Sequence, residues 1–174
     1  VTSLMLSLED RKIVPVDDVR STQPVNAAFS PDGKWIAYTT RPPGSVAQIY
    51  VRPFPPTDVI YQITRGTDKN AHHPFWSRDG RELYYIPAAG AFARVSVTTR
   101  PAFSFGDPVS LSRGPVGFFE GGPGNPRQND AAADGRVLAI TNANPSQGLG
   151  GAGQAQFQIV LNWLTELQQR VPTR

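Results

Sequence analysis

Apolar residues in this chain fall into short runs, three to seven residues long, and polar turns punctuate them. Strand-like alternation recurs, as in Ala91-Phe92-Ala93-Arg94-Val95-Ser96-Val97, and the runs are too short for long helices. Two runs are joined by Ser30-Pro31-Asp32-Gly33 and two more by Ser77-Arg78-Asp79-Gly80. A worn copy follows at Ala133-Asp134-Gly135-Arg136. Asp-Gly between apolar runs is a hairpin signal, because glycine takes the positive-φ position of a turn without steric cost. Asp32 to Asp79 is 47 positions and Asp79 to Asp134 is 55, the excess falling in the Gly/Pro-rich residues 114–126.

Each unit continues alike. After the first hairpin come Gln48-Ile49-Tyr50-Val51 and, beyond a Pro-rich turn, residues 59–64; after the second come residues 91–97 and 108–112. Four short strands in about 45 residues is the size of a propeller blade. The predicted fold is therefore all-β: a partial β-propeller of about three four-stranded blades with a short C-terminal helix. The predicted units are an outer half-blade at 1–20, blades at 21–64 and 65–112, an incomplete blade at 113–161, and a helix at 162–171, where Leu164, Leu167 and Val171 recur at helical spacing before Pro172.

Composition narrows the function classes. The 174 residues suffice for one core. The formal net charge is +3 and the 17 Lys and Arg are scattered, which argues against a nucleic-acid surface. Cysteine is absent, so neither disulfides nor thiolate metal sites are available. No apolar run approaches the roughly 20 residues of a membrane span, and no basic leader precedes residues 4–8. The 16 Gly and 17 Pro sit between apolar runs and read as turns.

The segments Phe29-Ser30-Pro31-Asp32-Gly33-Lys34-Trp35-Ile36-Ala37-Tyr38, Ile49-Tyr50-Val51-Arg52-Pro53-Phe54-Pro55, Trp76-Ser77-Arg78-Asp79-Gly80-Arg81-Glu82-Leu83-Tyr84-Tyr85 and Ile159-Val160-Leu161-Asn162-Trp163 together resemble the TolB-like (WD-repeat-like) propeller repeat. In finer detail they resemble the C-terminal half of the six-bladed propellers attached to bacterial eukaryotic-like serine/threonine kinases. The resemblance implies a protein- or small-molecule-binding module, extracytoplasmic or a cytoplasmic fragment, and carries no catalytic residues.

Candidate chemistry is sparse. Asp32, Gly33, Asp79, Gly80, Asp134 and Gly135 read as structural turn residues, with Ser30 and Ser77 bonding locally. His72 and His73 are the only histidines and precede Pro74. They are the candidate ligand contacts at the mouth of a central channel, and alternation in an extended strand would send their rings to opposite sides. No catalytic residue, metal ligand set or cofactor motif is recognised. The reading is a non-catalytic binding or scaffold module in which two half-propellers close a ring as a homodimer. The alternative is a hydrolase acting on an ester, peptide or glycoside, with Ser30 or Ser77 and a histidine at the channel mouth.

Overall fold

The computed structural model describes residues 4–15, 21–23, 26–64, 70–111, 122–132 and 136–140. All regular elements among them are strands. The predicted helix at 162–171 and the Asp134-Gly135 pair lie outside the described residues.

Sheet one is an antiparallel meander of β3 (Ala27–Phe29), β4 (Trp35–Thr40), β5 (Gln48–Pro53) and β6 (Tyr61–Gln62), paired in that order. Sheet two repeats the plan with β7 (His72–Trp76), β8 (Glu82–Ile86) and β9 (Phe92–Thr98). Its fourth strand is split: β10 (Ser104–Phe105) and β11 (Val109–Leu111) both pair with β9. A third unit begins with the hairpin of β12 (Asn129–Ala131) and β13 (Val137–Ala139). A separate hairpin, β1 (Leu4–Leu6) with β2 (Ile13–Pro15), precedes sheet one.

The two repeat turns are built from the same bonds. In the first, the Gly33 N–H donates to the Ser30 carbonyl at 2.9 Å and Ser30 Oγ donates to Asp32 Oδ1 at 2.6 Å. Asp32 Oδ1 also accepts the Lys34 N–H, and Ser30 Oγ accepts the Trp35 N–H. In the second, Gly80, Ser77, Asp79, Arg81 and Glu82 make the corresponding bonds. Gly33 (φ 68°) and Gly80 (φ 70°) are left-handed while both aspartates stay at negative φ. The loop is thus wider than a two-residue Asp-Gly turn, because serine and aspartate side chains satisfy the backbone groups that a tighter turn would pair directly.

Alternation decides which residues form the core. Ala37, Ile49 and Val51 of sheet one meet Leu83, Tyr85, Ala93, Val95 and Val97 of sheet two, and all are buried. Tyr84 and Ile86 lie on the other face of β8, where they join Phe75, Phe92 and Leu111 in a second apolar cluster. Sheet two is therefore covered on both faces, which explains why β8 lacks the polar alternation of a half-exposed strand. The first strands of successive units adjoin: β3 lies against β7, and β7 against β12. Trp76 Nε1 donates to the Ala28 carbonyl at 3.0 Å, tying the first two together. Four-stranded meanders stacked face to face with their first strands gathered on one side form a partial β-propeller. No helix among the described residues is long and apolar enough to cross a membrane.

Candidate functional site: the inner-strand groove and the buried histidine pair

The gathered first strands make a groove at the end where they run into the repeat turns. It encloses about 380 Å³ and is lined by Ala27, Ala28 and Phe29 of β3, by Trp76 of β7, by Asp130 of β12, and by Pro31, Ser77, Arg78 and Arg127. Repeat equivalence accounts for the placement. Phe29 and Trp76 occupy the same position in their units, and so do Pro31 and Arg78. Arg78 is exposed on the rim. The guanidinium of Arg127 lies 3.8 Å from the Asp130 carboxylate and 5.9 Å from the Phe75 ring centroid. The groove thus joins an apolar floor to two guanidinium groups and one carboxylate, a combination suited to holding a ligand that carries an acidic group.

The histidines lie at the opposite end of β7, and their rings are not on opposite sides. The register between β7 and β8 shifts between His72 and Phe75, and His73 adopts a left-handed φ of 54°. Histidine tolerates that region better than most residues. The irregularity cancels the alternation and brings the rings edge to face, with centroids 4.5 Å apart and Nδ1 to Nδ1 at 2.6 Å. His73 Nε2 stands 2.8 Å from the Asn125 carbonyl oxygen. A carbonyl only accepts, so His73 carries its proton on Nε2 and presents Nδ1 as an acceptor; His72 must then donate from its own Nδ1. Both rings are almost wholly buried. Burial, with the neighbouring His73 ring second, pushes the His72 pKa down to about 4. Burial also lowers that of His73, and the Arg127 charge adds to the effect while the bond to Asn125 opposes it.

The pair secures a turn. Asn125 closes a turn on Gly122, and its neighbour Pro123 accepts a 2.7 Å bond from Asn26 Nδ2 at the start of β3. Asn26 of the first unit and His73 of the second thereby hold the turn that leads into the third.

Ser30 and Ser77 are engaged inside their own turns. Ser77 follows the end of β7 while His72 opens it, so these groups are not brought together as a nucleophile and base. Asp32 and Asp79 are held below the usual carboxylate pKa, first by their serine hydroxyls. Among the described residues, no three or more His, Asp or Glu side chains come together in a way that would hold a metal ion. Arg127 and Asn26 had no signal as site residues in sequence. The one visible clue was that Arg78 replaces the proline of the first repeat.

No protein-family model matches the chain, and no curated protein matches it. Among solved structures it is similar to TolB from Acinetobacter baumannii, with 18% identity, a TM-score of 0.44 and 79% of this chain covered. The match spans 37% of that TolB chain, so this chain corresponds to well under half of its length.

Proposed function

We propose that the chain is a non-catalytic binding module of the TolB-like propeller type, and that its ligand or protein partner enters the inner-strand groove with an acidic group toward Arg78 and Arg127. The observation that carries this reading is the convergence of three repeat units on one groove bearing two guanidinium groups. The motifs that resemble kinase-attached propellers support an interaction role, and that finer likeness rests on the motifs alone. Fluorescence anisotropy with labelled tetrapeptides, each with a free or an amidated C-terminus, tests the groove. Free carboxylates should bind more tightly, and Arg78→Glu should abolish the preference; equal binding of both forms by the native protein would refute it.

The assembly proposed with this function is a second copy that closes the ring. The β1–β2 hairpin supports it: Leu4, Leu6 and Ile13, with Leu8 in the connecting turn, are exposed, an unusual density of apolar side chains for one small hairpin. A well-folded monomer in sedimentation velocity at micromolar concentration would rule this assembly out.

A further inference from the structure

At the perimeter, far from the first strands, the seam between sheets one and two opens into a cleft of about 590 Å³. Its floor is aromatic. The Phe103 ring centroid lies 4.7 Å from that of Tyr61 on β6 and 6.1 Å from that of Phe105 on β10, and Trp35 backs it at 4.8 Å. The split outer strand shapes the rim. Between β10 and β11, residues 106–108 bulge away from β9, although the Gly106 N–H still bonds the Ser96 carbonyl at 3.0 Å. A Cβ on Gly106 would come within 2.7 Å of Ser96 Oγ, so a larger residue there would have to turn the exposed Ser96 hydroxyl aside. The next residue, Asp107, lines the cleft together with Ser104 and Ser110. Among the described residues, no Lys, Arg or His lines it and no ion pair engages Asp107.

We propose that this cleft is a binding site for small aromatic amines, with the flat ring against Tyr61 and Phe105 and the ammonium toward Asp107. The faces of aromatic rings attract cations, and a single unpaired carboxylate sets the sign of the charge that is accepted. The volume lies within the usual range for small-molecule pockets, and the lining combines aromatic rings with two serines and one carboxylate. The site is independent of the inner-strand groove, which selects the opposite charge.

Isothermal titration with three probes of similar shape tests this: phenethylamine, 2-phenylethanol and phenylacetate. Phenethylamine should bind at least about tenfold more tightly than phenylacetate, the span that attraction and repulsion of a partly exposed charge provide together. Asp107→Asn should bring phenethylamine down to the level of 2-phenylethanol. Ser110→Trp, at an exposed position of the rim, should block all three while leaving peptide binding in the groove unchanged. Equal affinities for the amine and the acid, retention of the amine preference in Asp107→Asn, or no saturable heat up to roughly 10 mM amine would each overturn the proposal.

Discussion

Acidification should unfold this protein through His72 before it reaches the carboxylates. In the folded chain the His72 ring is buried, its Nδ1–H is committed to His73, and its pKa stands at about 4. In the unfolded chain it returns to the ordinary histidine value of about 6.5. As pH falls, the unfolded state takes up the proton first, so stability is lost from near pH 6.5 and the loss levels off below about pH 4. Each unit of difference is worth about 1.4 kcal/mol, so His72 alone removes about 2 kcal/mol by pH 5 and about 3 kcal/mol by pH 4. His73 shifts in the same direction and adds to the loss. Asp32 and Asp79 have lowered pKa values, so their contribution persists above the ordinary carboxylate value and is lost only below it, in a separate window. Urea denaturation followed by tryptophan fluorescence, repeated between pH 7 and pH 4.5, measures the slope. His72→Gln keeps an N–H that can donate to His73 but does not titrate, so its stability should fall with pH markedly less steeply than that of the native protein. Parallel curves for the two proteins would refute the reasoning, because the proton would then be entering elsewhere.

Two further perturbations address the repeat itself. Gly80→Ala should destabilise by about 1–2 kcal/mol in urea denaturation, because φ is 70° there and a Cβ meets only Pro31 at 3.5 Å, so the cost comes from the backbone and not from crowding. Trp76→Phe removes the indole N–H that bonds the Ala28 carbonyl and should cost about 1–3 kcal/mol, with hydrogen exchange quickening in β3 ahead of β5.

The pattern of short apolar runs and Asp-Gly turns determined the all-β, repeated architecture, because each hairpin is specified by residues that are neighbours in sequence. Ser30, Asp32 and Gly33 make the same local bonds as Ser77, Asp79 and Gly80, although Asp32 also meets a distant guanidinium, that of Arg100. Strand ends were less legible: residues 59–64 read as one strand, yet the ladder with β5 is confined to Tyr61–Gln62, extended by the Ile63 N–H bond to the Ile49 carbonyl, while Val59 and Ile60 stay exposed. Where the histidine rings lie was not legible at all. Alternation assigned His72 and His73 to opposite faces, whereas a bulge against β8 and a carbonyl 52 residues away turn both rings inward. The groove and the perimeter cleft have the same origin. Arg78, Arg127 and Asp130, or Tyr61 and Phe105, share no spacing that marks them in the chain. They meet only because successive sheets stack, and the stacking is governed by burial on both faces of sheet two, a property of the packed units that no single unit carries.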